Sequence, residues 1–251
     1  MRALIALSVV GLLACPLPAG PPAYLRAEVS FAEGVVAGLL AQAQGLSLPT
    51  LGWTTAGPQL YGVQSEAELL AQETFLIWDF PYFYLASQTE SGLAVLRGDE
   101  ERGELIAMGT GGNLPPSQFV SDFIELLTEL GLLPEVGCTI QFQEIEVPHK
   151  LPPSPEGSAL DPVLWGLVNH PDWLGFARDY GLELTGLRVR VVVEKEGQLA
   201  SQFEPYIFAS TDGLAELILP IPLLVTLGQD PAVRLVRPPY VPHPAAPREG
   251  G

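Results

Sequence analysis

Residues 75–108 read FLIWDFPYFYLASQTESGLAVLRGDEERGELIAM. Short apolar runs are cut at regular intervals by turn-forming residues, the pattern of strands joined by tight connections. Phe75–Trp78 predicts a strand, Asp79-Phe80-Pro81 interrupts it, and Tyr82–Ser87 continues it. Thr89-Glu90-Ser91-Gly92 turns the chain into Leu93–Arg97, and Asp99-Glu100-Glu101-Arg102-Gly103 turns it again into Glu104–Met108. These segments predict an antiparallel β-meander.

Helical signals flank the meander. Ser30 and Glu33 have the spacing of a capping box ahead of Phe31, Val35 and Leu39, with Gly45 as the stop. Ser65 and Glu68 repeat the device and predict a short helix through Glu73. Beyond the loop Gly109–Asn113, Pro115-Pro116-Ser117 open an amphipathic helix carrying Phe119, Phe123, Leu126 or Leu127, and Leu130, which Gly131 ends. Cys138–Val147 is a further strand. The expected fold class is α+β: the meander with packed helices over 30–148, a Pro-rich linker at 149–157, and a small α/β module at 158–242.

In that module Asp161-Pro162 is an N-cap followed by proline in the first helical turn. Asn169-His170-Pro171-Asp172 starts a second short helix that Gly181 terminates. Leu187, Val189, Val191 and Val193 alternate with polar residues along a strand. Gly213–Leu219 is another strand, Ile221–Leu227 a short helix and Ala232–Val236 a closing strand. The proline-rich run from Arg237 leads into a disordered tail at 243–251.

The order "LRVRVVVEKEG", "LAELILP", "IPLLVTLGQDP", "AVRLVRPPYVP" resembles the subtilisin-propeptide-like β-α-β modules of exported bacterial proteins over about residues 182–242. The closing "DPAVRLVRPP" is its most specific part, whereas Gly197–Ile207 is shorter and less helical than that family's first helix. The resemblance implies a small ferredoxin-like or propeptide-like fold and contact with a protease rather than proteolysis. Arg237, Pro238, Pro239 and Tyr240 would then lie in a protease cleft.

The N-terminus addresses location. Met1-Arg2 precede a twelve-residue apolar run, Ala3–Ala14, the layout of a secretory signal at 1–14. At about 1.5 Å per residue the run spans ~18 Å, too short for a hydrocarbon core of about 30 Å. Leu12-Leu13-Ala14-Cys15 resembles the lipobox of bacterial lipoproteins, which implies a lipid anchor at Cys15, followed by a spacer at 15–29. Cleavage after Ala14 or Ala19 without lipidation is the alternative. Lipidation, or cleavage after Ala19, leaves Cys138 without an intramolecular partner; cleavage after Ala14 alone would permit a Cys15–Cys138 disulfide. Cys138 reads as a buried, inert thiol at the start of an apolar strand.

With 12 basic and 29 acidic residues the chain has a formal charge of −17. That disfavours nucleic acid and anionic lipid as partners, and the expected membrane contact is through the Cys15 anchor alone. The sequence lacks the nucleophile-elbow, zinc-protease and phosphate-loop motifs, and Gly109–Asn113 lacks a basic partner for phosphate. His149, His170 and His243 have no ligand-spaced partners and read as surface residues, so neither a metal nor a cofactor is expected. Glu144 and Glu146 share a strand face and are the candidates for a carboxylate-dependent hydrolase. Asp99-Glu100-Glu101 read as a solvated hairpin tip, at most a weak divalent-cation site. Six aromatics crowd residues 75–84, and Trp78, Tyr82 and Tyr84 are candidates for a partner-binding surface. The competing reading is a strand covered on both faces. The expected role is therefore an exported, non-catalytic module contacting a protein or small ligand, with protease inhibition and carboxylate hydrolysis as alternatives.

Overall fold

A computed structural model describes residues 23–28, 35–45, 47–89, 92–109, 143–145 and 151–239. Its fold is α+β, built on two sheets. The first sheet contains β1 (Ala23–Glu28), β2 (Thr50–Thr54), β3 (Gly57–Tyr61), β4 (Thr74–Asp79), β5 (Tyr82–Thr89), β6 (Gly92–Asp99), β7 (Glu104–Gly109) and β8 (Gln143–Glu144). Their spatial order is β3-β2-β4-β5-β6-β7-β1-β8. Strands β4 to β7 are consecutive and paired antiparallel, but β2 lies parallel to β4, so the sheet is mixed. Residues 23–28, expected in the spacer, instead form β1 between β7 and β8. Its apolar residues are too few to announce a strand alone; pairing on both sides satisfies its backbone.

Helix α1 (Val35–Gly45) packs against β2 and β4. Helix α2 (Glu66–Leu70) ends before the expected Glu73. The Ser65 side chain caps it by accepting from the Glu68 amide at 3.1 Å, while the Glu68 carboxylate accepts from the Gln64 amide at 2.8 Å. The expected box is therefore displaced by one residue on its return bond.

The second half opens with α3 (Pro162–Asn169) and α4 (Trp173–Tyr180). Asp161 caps α3 through the Val163 amide at 2.8 Å, and Asp172 caps α4 through the Gly175 amide at 2.9 Å. Gly181 closes α4 at φ 64°, as its sequence position predicted. The second sheet comprises β9 (Leu184–Thr185), β10 (Arg188–Lys195), β11 (Ile207–Ser210), β12 (Leu214–Pro220) and β13 (Val233–Arg237). It runs β11-β12-β10-β13, all antiparallel, with β9 beside the start of β10. A 3-10 turn, Ser201–Tyr206, stands between β10 and β11, and α5 (Leu223–Leu227) between β12 and β13. The inward valines Val189, Val191 and Val193 are fully buried, as alternation requires.

One hydrophobic core joins the halves. Ile77, Tyr84 and Val95 of the first sheet share it with Leu164, Trp173, Val191 and Leu217 of the second half. Leu151, in the Pro-rich stretch, packs against the same core. Polar bonds cross the seam as well. Trp53 Nε1 donates to the Thr185 carbonyl at 3.2 Å, and the Gly186 amide donates to Glu66 at 2.7 Å. Arg188 forms a bidentate pair with buried Asp79, both bonds 2.8 Å, and stacks on Trp53 at 3.9 Å. Gly186 sits there at φ +60°, and a Cβ would meet Leu51 at 2.4 Å, so both backbone and packing demand glycine.

Candidate functional site

Cross-strand register builds the site. Asp79, Tyr82, Asp99, Glu104 and Glu28 form one row across β4, β5, β6, β7 and β1. The adjacent row is Ile77, Tyr84, Arg97, Ile106 and Arg26. In a pleated sheet both rows face the same side, here toward the second half. Charged groups are thus carried onto a face whose remaining residues are core.

A cavity of about 250 Å³ lies over the β6-β7-β1 part of this face. Arg26, Arg97, Arg102, Asp99 and Glu104 line the sheet side; Trp165, Val168 and Asn169 of α3, Trp173 of α4, and Pro222 and Val225 close it opposite. Arg26 and Arg102 are half-open to solvent, at 50 and 60 % side-chain exposure, and form its mouth. Arg97 and Trp173 are buried and form its floor.

Arg97 Nη1 donates to the carbonyls of His170 and Pro171 at 3.1 and 3.0 Å, tying β6 to the start of α4. Its guanidinium stacks 3.8 Å from the centre of the Trp173 ring. Nη2 reaches Glu104 at 3.5 Å, the outer limit of a hydrogen bond. Burial lowers the Arg97 pKa to about 10, with the Glu104 charge opposing. Glu104 also pairs with Arg26 at 3.2 Å. Asp99 accepts from the Arg102 amide at 3.0 Å and faces its guanidinium at 3.6 Å. Burial raises the Asp99 pKa, while those Arg102 contacts pull it down. Trp173 Nε1 has no partner: among the described residues it is the buried side-chain polar atom left unsatisfied.

The residues singled out by sequence fall elsewhere. Tyr82 and Tyr84 are buried, at 6 and 1 % exposure, so they offer no partner surface. They face α4: the Tyr84 hydroxyl donates to Asp172 at 3.2 Å, and the Tyr82 ring meets Trp173 edge-on. Burial raises both phenol pKa values. Trp78 lies half-buried next to Gly52, on the face that α1 covers. The aromatic strand is therefore covered on both faces, with Phe80 exposed at the turn. Asp99 is not a solvated hairpin tip but a buried strand residue opposite Glu104.

His170 is half-buried rather than a surface residue, packed between the Tyr24 and Phe176 rings and accepting from the Asp172 amide at 3.1 Å. Arg237 belongs to β13, with its guanidinium 3.4 Å from Glu194, and Pro238 and Pro239 are half-buried; these three are not a free tail. Glu144 lies on β8 beside β1. Cys15, Ser30, the helix expected from Pro115, Cys138, Glu146, His149, Tyr240 and His243 fall outside the described residues. Among the described residues no three His, Cys, Asp or Glu side chains converge as metal ligands.

Sequence reading passed over Arg26, Arg97, Trp165 and Trp173. The available signal was alternation: Val95, Arg97 and Asp99 share a strand face, so a buried valine implies inward charge. No family model, curated protein or solved structure matches this chain, and its site stands on its own residues.

Proposed function

We propose that the chain is an extracytoplasmic binding module, tethered through Cys15 or secreted, that holds a small ligand in the cavity between the first sheet and α3–α5. The basic start, the short apolar run and the lipobox-like boundary support export. The observation carrying ligand binding is the cavity itself, a concave space between the two halves lined by the Arg97 guanidinium and the side chains of Trp165 and Trp173. Concave sites with aromatic walls and a few placed polar groups are where small molecules bind.

Asp99 and Glu104 favour a second reading, carboxylate-dependent hydrolysis, because they sit opposite one another in this cavity. The binding reading is preferred because Arg26, Arg97 and Arg102 already engage their oxygens. Protease inhibition through a ferredoxin-like or propeptide-like module is the weaker alternative, since the Arg237 guanidinium is turned to Glu194.

The test is a thermal-shift screen of the exported chain against small acids, amines and neutral sugars. The expected result is a compound class that raises Tm by about 2 °C or more at saturation and loses its effect in Trp165→Ala. A screen in which nothing shifts Tm through Trp165 contradicts the proposal.

A further inference from the structure

The cavity has two unlike walls. On the sheet side each guanidinium already has a carboxylate: Arg26 and Arg97 reach Glu104 at 3.2 and 3.5 Å, and Arg102 faces Asp99 at 3.6 Å. A charged ligand must therefore compete with an existing pair. The two pairs at the mouth are single contacts made through Nε, on arginines half-open to solvent. A guanidinium carries five N–H donors and a carboxylate about four acceptor positions, so each pair still presents both kinds of group side by side. A hydroxyl, which donates and accepts at once, can bridge such a pair without breaking it. On the helix side Trp165 and Val168 share a face of α3, three residues apart, and Val225 of α5 joins them. All three are half-buried, whereas Leu164 and Leu167 of the same helix are sealed into the core. The second wall is thus apolar surface left open to the cavity.

Building on the binding reading above, we propose that the cavity takes a neutral saccharide ring. Its hydroxyls replace solvent at the mouth and bridge the Arg26–Glu104 and Arg102–Asp99 pairs. The C–H face of the ring rests on Trp165, with Val168 and Val225 beside it. A volume of about 250 Å³ holds one six-membered ring rather than an extended chain.

The test is calorimetric titration of the exported chain with the methyl glycosides of D-glucose, D-galactose and D-mannose, and with glucuronate, glucosamine and cyclohexanol at matched ionic strength. At least one glycoside is expected to bind about tenfold or more tightly than cyclohexanol, the ratio a hydrogen bond to a charged group provides. Glucuronate and glucosamine, which add a charge to the same ring, are expected to bind no more tightly than that glycoside. Trp165→Leu, which removes the aromatic platform, is expected to weaken the glycoside about threefold or more. Arg102→Gln, at the solvent-open mouth, keeps the test valid if the helix variant fails to fold. It is expected to weaken the glycoside about fivefold and to leave cyclohexanol unchanged. Tighter binding of glucuronate or glucosamine than of every glycoside overturns the neutral-ring assignment while leaving ligand binding intact. Cyclohexanol matching the glycosides overturns the hydroxyl bridges, as does an Arg102→Gln variant that binds the glycoside unchanged. If no glycoside binds while another compound class raises Tm through Trp165, the saccharide assignment falls alone. Absence of binding by any compound overturns both readings.

Discussion

At the residue scale the seam depends on single side chains that do several jobs. Asp79 is buried, and burial raises its pKa even though the Arg188 hydrogen bonds and charge lower it. Desolvation therefore outweighs the pair's attraction, and removing either partner has unequal consequences. Arg188→Met would strand a buried carboxylate and is expected to cost about 3–5 kcal/mol. Asp79→Asn keeps an acceptor for Arg188 and is expected to cost about 1–2 kcal/mol. Urea unfolding of both variants checks this, and equal costs would contradict the assignment. The pair was illegible in the sequence, where 109 residues separate its members. Asp79 looked like a strand breaker and Arg188 like an outward residue of an alternating strand; long-range charge pairing leaves no local periodicity to read.

At the element scale, local chemistry was readable wherever one residue sets the backbone. Ser65, Asp161, Asp172 and Gly181 each cap the helix terminus their sequence context predicted. The central strands were readable from β-rich runs bounded by turns. Strands β1, β2, β3 and β8 were not, because each is short or weakly patterned and holds its form through neighbours contributed by distant segments. The caps also differ in what depends on them. Asp161 serves α3 alone, whereas Asp172 caps α4 and accepts the buried Tyr84 hydroxyl. Asp161→Ala is expected to cost about 1 kcal/mol. Asp172→Ala should cost about 2–4 kcal/mol, the lost cap plus an orphaned hydroxyl. Adding Tyr84→Phe to Asp172→Ala should recover part of that loss. Calorimetry of the three variants measures the difference, and similar costs at the two caps would refute the shared role of Asp172.

At the scale of the whole molecule, two sheets are joined through one core and a seam of buried charge. Burial is the largest influence on Glu66, Asp79 and Asp99, and it raises all three pKa values. The folded chain therefore binds these protons more tightly than the unfolded chain. Their contribution to stability is complete below the ordinary carboxylate range, about pH 4, and is lost as pH rises through the raised values. Self-repulsion at a formal charge of −17 acts in the same direction. Tm should accordingly rise as pH is lowered from 7 toward the ordinary carboxylate range at about 4, and a steady fall over that interval would contradict the expectation. The cavity belongs to this scale too, since its walls come from opposite ends of the chain. Nothing local in either half marks Arg97 and Trp173 as partners, since their stacking exists only once the two halves meet. The most direct test of the ligand site is the indole N–H region of the NMR spectrum during titration with the compound class that raises Tm. The four tryptophans make Trp165 resolvable by substitution. Its resonance should shift and saturate, because Trp165 lines the cavity, while that of Trp53, bonded to the Thr185 carbonyl, stays in place. A Trp165 resonance that does not move at saturating ligand would contradict the account.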